Sequence, residues 1–132
     1  MRTYRDLIVW KKSIRVVKRV YLISKYFPKE EKYILTSQIR RAAISIPSNI
    51  AEGYGRRSTK DYLRFLQIAM GSLYELQTQL EIAHYMHFIS KASFSKVYAD
   101  LREIERMMSS LIYKIGQSQI VDTESRKGTK YF

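Results

Sequence analysis

Leu35-Thr36-Ser37-Gln38-Ile39-Arg40-Arg41-Ala42-Ala43-Ile44-Ser45-Ile46-Pro47-Ser48-Asn49-Ile50-Ala51-Glu52-Gly53-Tyr54-Gly55-Arg56-Arg57-Ser58 decides the fold of this chain. Leu35, Ile39, Ala42, Ile46, Ile50 and Gly53 recur in steps of three and four, a helical period. Polar residues (Gln38, Ser45, Asn49, Glu52) interrupt that seam. Pro47 removes one amide donor and crowds the carbonyl four residues back. The apolar period continues through Asn49-Ile50-Ala51, so the expectation is a helix kinked at Pro47 rather than ended there. After Gly53-Tyr54-Gly55 come Arg56-Arg57 and then Ser58-Thr59-Lys60-Asp61, the pattern of a capping box opening another helix.

Working outward, the other segments repeat the same period. Upstream, Leu7, Trp10, Ile14, Val17, Tyr21 and Ser24 keep three-four steps, with Asp6 as expected N-cap and Phe27-Pro28 as the end. Val9, Val16, Ile23, Val20 and Phe27 widen this apolar arc to roughly 160°, more than the ~100° stripe of a surface helix. The excess predicts a subunit interface; the plain alternative is a generous core. Lys29-Glu30-Glu31-Lys32 reads as a polar connection with its acids at the start of the second helix, where the dipole favours them. Downstream, Tyr62, Leu66, Ala69, Leu73, Leu76, Leu80, Ala83 and His87 form the seam of a third helix. Gly71 inside it predicts close approach by a neighbouring helix. Ser90 or Ser93 caps a fourth helix with Phe94, Val97, Leu101, Ile104, Met108, Leu111 and Ile115 on its seam, ended by Gly116. The fold class is therefore all-α, an antiparallel up-down four-helix bundle over 1–116. Residues 117–132 are polar and mildly basic without a period, and are expected to be a flexible tail.

The 132 residues suffice for one core, and two prolines and five glycines are too few for an all-β chain. With no cysteine, disulfides, thiolate nucleophiles and thiolate-bound metals are excluded. No run of eighteen uncharged apolar residues marks a membrane span, and the first residues lack a signal-peptide core, so a cytoplasmic location with no membrane partner is expected.

The formal charge is +12, unevenly spread: +7 over 1–28, +4 over 29–60, −2 over 61–90 and +3 over 91–132. Such a field favours polyanions, RNA or DNA. The candidate nucleic-acid contacts are Lys11, Lys12, Arg15, Lys18 and Arg19 on the first helix, with Arg56, Arg57 and Lys60 at a helix N-terminus. They would hold phosphates and carry no base specificity. Tyr54, between two glycines in the basic turn, is the aromatic best placed to stack on a base. Trp10, Tyr21, Tyr62, Tyr74 and Phe94, at helical spacing, are expected in the core.

Catalytic constellations are scarce. Glu81-Ile82-Ala83-His84 spells half of a di-iron motif, with His87 one turn on, but the second copy and a third histidine are missing. Neither catalytic residues, metal nor cofactor is expected, and the chain is taken as non-enzymatic. Arg40 and Arg41, being adjacent, cannot share a face: one is expected to pair inside the bundle with Glu52 or Glu75, the other to face solvent.

Several motifs together carry a resemblance. Tyr4-Arg5-Asp6-Leu7-Ile8-Val9-Trp10, Phe27-Pro28-Lys29-Glu30-Glu31, Leu35 to Ala42, Ser45 to Gly53 and Gly71-Ser72-Leu73-Tyr74-Glu75-Leu76 resemble a bacterial four-helix bundle family. Its members include proteins encoded in intervening sequences of 23S ribosomal RNA genes. The likeness covers residues 4–90 by motif and the fourth helix by pattern. It implies a left-handed bundle assembling as a homopentamer, similar to the nucleic-acid-binding accessory protein of diversity-generating retroelements. It brings no catalytic residues. Gln38, Arg41, Asn49, Glu52 and Glu75 are then expected to form a buried polar network fixing kink and assembly, since buried charges must be paired. The function expected is a homo-oligomeric bundle binding RNA or DNA through its basic surface. The alternative is a structural adaptor for a protein partner, its charge incidental.

Overall fold

The computed structural model describes the backbone of residues 2–131 and the side chains of residues 2–118. Four helices make the fold: α1 (Ile8–Ser24), α2 (Leu35–Tyr54), α3 (Thr59–Tyr85) and α4 (Lys91–Tyr131). No strand occurs among the described residues. α1 packs on α2 and α4, α2 on α3, and α3 on α4. Short links between neighbours make this an antiparallel up-down bundle.

The start of the chain differs from its expected form. Tyr4–Asp6 is a 3-10 turn, and Leu7, not Asp6, is the N-cap of α1. Asp6 instead reaches back: its carboxylate accepts from the amides of Arg2 at 2.8 Å and Thr3 at 3.2 Å. Those two bonds hold its carboxyl below the usual carboxylate range. Similarly, Glu30 and Glu31 sit in their own 3-10 turn, Lys29–Glu31, ahead of α2 rather than in its first turn.

Within α2, the seam residues Ile39, Ala42, Ile46, Ile50 and Gly53 are all buried, and so are Ala43 and Pro47. Pro47 leaves the Ala43 carbonyl without its helical donor. Side chains add donors on the following turn: Ser48 Oγ donates to the Ile44 carbonyl and Asn49 Nδ2 to that of Ser45, both at 2.8 Å. Ser58 caps α3 by accepting from the Asp61 amide at 3.1 Å.

α3 ends at Tyr85, two residues before the predicted His87. His87 takes a left-handed φ of 64° and is exposed, so it is not on the seam. Its amide donates to the His84 carbonyl, and the Phe88 amide donates to that of Ala83, a Schellman closure. Ser90, rather than Ser93, caps α4, its hydroxyl accepting from the Ser93 amide at 3.2 Å. α4 passes through Gly116, because one glycine weakens a helix without breaking it. The flexibility expected of residues 117–132 falls outside the described side chains, apart from Gln117 and Ser118.

Val16, Val20, Ile39, Ile46, Ile50, Leu66, Leu73, Leu76, Leu80, Leu101, Ile104 and Met108 are the large side chains fully enclosed in the core. Gly71 is a correction: a Cβ there would meet nothing within 4 Å, so no neighbouring helix approaches it closely among the described residues. Gly71→Ala is accordingly expected to stabilise the monomeric fold by about 1 kcal/mol, the helix-propensity difference. Thermal denaturation checks this, and a lowered midpoint would contradict it.

Candidate nucleic-acid interface

The predicted cations divide into paired and free groups. Lys12 bonds Glu103 of α4, and Arg19 lies 3.5 Å from Asp100 of the same helix. The Lys12 hydrogen bond is the main reason Glu103 titrates below the ordinary range. Arg15 faces the same small depression between α1 and α4 but has no carboxylate within ion-pair distance among the described residues. Lys11 and Lys18 are exposed and carry no ion pair among the described residues. The α1 stretch is thus not one ridge. One edge zips the bundle and the other meets solvent.

At the turn before α3, Arg56 donates to Glu52 at 2.8 Å, and its guanidinium lies 4.7 Å from the Phe65 ring centroid. Arg57 and Lys60 are exposed and unpaired among the described residues. Tyr54 is not the free platform expected of it. Its ring packs edge-on against Tyr62, 6.1 Å between centroids, beside the core. Burial, with Tyr54 alongside, raises the Tyr62 phenol. Two aromatics expected inside, Tyr21 and Tyr74, are 41% and 48% exposed, and could contact a partner.

The five polar motif residues separate into three groups rather than one buried network. Arg41 donates to Gln38 Oε1 at 2.8 Å and to Glu75 Oε1, which also accepts from Gln79. The Arg41 side chain is 58% exposed, so this tie between α2 and α3 lies at the surface. Asn49 bonds Ser45, whose hydroxyl meets that of Ser72 at 2.8 Å, a second tie between the same helices. Among the described residues Glu52 engages only Arg56, in the turn that follows α2. A register in which exposed carboxylates meet α2 at its edge leaves no charge to bury.

Arg40, not Arg41, is the half-buried member of the pair. Its Nε donates to Ser24 Oγ at 2.8 Å, and its guanidinium lies over Tyr21, 4.6 Å from the ring centroid. Around it stand Lys25, Lys29 and Lys32, cations that the sequence presented only as helix end and connection. Their grouping depends on how Phe27-Pro28 folds the chain back, so no linear spacing announces it.

The histidines form no metal centre. His84 stacks on Phe94 at 4.6 Å, His87 is on the surface, and no group of three or more potential ligands occurs among the described residues. No helix among the described residues is long and apolar enough to cross a membrane.

Beyond the geometry, the model of the 23S rRNA-intervening sequence protein family matches residues 5–110. A crystal structure from Bacteroides thetaiotaomicron, described as a protein with unknown function from the S23 ribosomal protein family, has the same fold. The two chains are 27% identical with a TM-score of 0.74, over 80% of this chain and 98% of that one. No curated protein matches.

Proposed function

This chain belongs to the 23S rRNA-intervening sequence protein family, and from that premise we propose that it is a non-enzymatic, homo-oligomeric bundle that binds RNA through its basic surface. The observation that carries this reading is the split among its cations. Of the eight candidates, Lys12, Arg19 and Arg56 are ion-paired, and Lys11, Arg15, Lys18, Arg57 and Lys60, without an ion pair among the described residues, are left to meet phosphates. Five engaged cations on a single strand would give a slope of about −3.5 for log K against log salt.

Self-association is supported by the outer apolar strip of α1. Trp10, Ile14 and Val17 are only half-buried, and they continue across Ile44, Pro47 and Ala51 of α2 around an open depression of about 300 Å³. One bundle leaves this strip uncovered, and a second copy would cover it. A homopentamer is the assembly proposed, and the mass in solution by light scattering checks it.

The test of function is binding of a labelled structured RNA across a salt series, with duplex DNA alongside. A micromolar or tighter complex with a steep salt slope is expected. An absence of binding at low salt would transfer the reading to a structural or protein-binding adaptor, which the three ion pairs favour.

A further inference from the structure

Four further cations meet away from the turn before α3 and the two edges of α1. Lys25, Lys29, Lys32 and Arg40 line a cleft of about 370 Å³ where the end of α1, the Lys29–Glu31 turn and the start of α2 meet. None of the four makes an ion pair among the described residues, and no carboxylate lines the cleft. Glu30 and Glu31 belong to the same turn without lining it. Arg40 is the positioned member: the Ser24 hydroxyl and the Tyr21 ring fix its guanidinium and leave the two terminal nitrogens available. A planar fork so held matches the oxygens of a phosphate, and three lysines around it exceed what one carboxylate would need.

The cleft has a second half. Lys18, Lys25 and Arg40 also line an open groove of about 670 Å³, with Tyr21 and Leu22 as its apolar patch and Val17 shared with the strip that a second copy would cover. Leu22 is 66% exposed, an apolar side chain on what is otherwise the charged side of α1. Four cations in the cleft and an aliphatic and aromatic patch in the groove beside it suit a ligand that is anionic at one end and flat and apolar at the other.

We propose that this two-part cleft binds an unpaired nucleotide, its phosphate on Arg40 and the three lysines and its base against Tyr21 and Leu22. The ligand class rests on the polyanion reading above, while every cation lining the site except Lys18, which the groove shares with the α1 stretch, lies outside the two stretches that carry it. A site of this kind would give the bundle a preference for single strands, because a duplex keeps its bases stacked and unavailable.

The experiment is an amide chemical-shift titration of the full chain with adenosine monophosphate, adenosine and inorganic phosphate in parallel. The monophosphate is expected to shift amides over 22–32 and 36–40, and to bind at least ~10-fold tighter than either half alone. Arg40→Ala should weaken it ~10-fold or more, because a fixed fork loses both phosphate contacts. Should Arg40→Ala fail to fold, the exposed pair Lys29→Ala/Lys32→Ala makes the same test without touching the Ser24 contact. Arg56→Ala/Arg57→Ala should leave the titration unchanged. Equal affinity for the monophosphate and inorganic phosphate would overturn the proposal, as would shifts confined to residues 56–60. A glutamate-rich peptide shifting the same amides with equal affinity would also overturn it. If RNA binds with a steep salt slope while the cleft stays silent, this proposal falls and the polyanion reading stands. Nucleotide binding here without RNA binding would do the reverse.

Discussion

Gly53→Ala is expected to destabilise the protein by about 2 kcal/mol, the overpacking cost of up to ~3 kcal/mol less the ~1 kcal/mol that alanine gains in a helix. A Cβ at Gly53 would lie 2.8 Å from Phe65 Cβ, 3.1 Å from Tyr62 Cδ1 and 3.3 Å from the Tyr62 carbonyl oxygen. The nearest of these cannot swing aside. Phe65 Cβ is one bond from the α3 backbone, and its buried ring has the guanidinium groups of Arg56 and Arg64 4.7 and 4.8 Å from its centroid. The Tyr62 ring is held edge-on by Tyr54. Relief therefore requires α2 and α3 to part where the chain turns between them. For a domain of this size the loss corresponds to a fall in melting temperature of ~6–10 °C. Gly53 has no positive φ, so the requirement is steric rather than conformational. Gly71→Ala is the internal control, with the opposite sign expected. Two glycine-to-alanine changes moving the midpoint the same way would show that contact at Gly53 does not govern the helix pair.

The contrast between these glycines shows what the sequence carried. Both lie in helices, and spacing alone puts Gly53 on the α2 seam, where it is buried. Gly71 offered only its cost, and the close neighbour inferred from that cost is absent among the described residues. Seams were legible wherever a helix had one narrow apolar stripe, as in α2, α3 and α4. α1 has two. The residues its core uses are Val9, Ser13, Val16, Val20 and Ser24, while Trp10, Ile14, Val17 and Tyr21 line its outer edge. Ser13 and Ser24 obscure the inner seam, yet each hydroxyl donates to a carbonyl of its own helix, so both are buried with their donors used. Ion pairs were the least legible feature. Lys12 and Glu103 stand 91 positions apart, and they meet because of the register of α4 on α1, which no local pattern fixes. The same holds for Arg41 and Glu75: the sequence left open which of Arg40 and Arg41 would pair and whether with Glu52 or Glu75, and it placed inside the bundle a pair that lies at the surface.

That register makes the charges of α1 unequal, and the second large effect follows from it. Lys11→Glu/Lys18→Glu is expected to lower RNA affinity by ~10²-fold at ~0.1 M salt, since two phosphate contacts become two repulsions. The bundle should keep its melting temperature within a few degrees, because neither lysine is ion-paired among the described residues. Lys12→Glu/Arg19→Glu changes the formal charge by the same amount and should behave differently. Glu103 and Asp100 already neutralise much of the field those cations would offer to RNA, so affinity should fall by only a few fold. Stability should suffer more, because four carboxylates would then face one another across the α1 and α4 contact. Each original pair is half-exposed and worth at most ~1 kcal/mol, with repulsion added on reversal. Titrating both double variants with one RNA at one salt concentration, beside their thermal melts, separates the two roles. Equal losses of affinity would mean that RNA senses only net charge, and that the pairing across α1 and α4 opens on binding. Loss in the Lys12/Arg19 variant alone would place the RNA over the depression between α1 and α4, with Arg15 as its free cation. An unchanged affinity in both would remove Lys11, Lys12, Lys18 and Arg19 from the interface and leave Arg57, Lys60 and the Arg40 cleft to carry any binding.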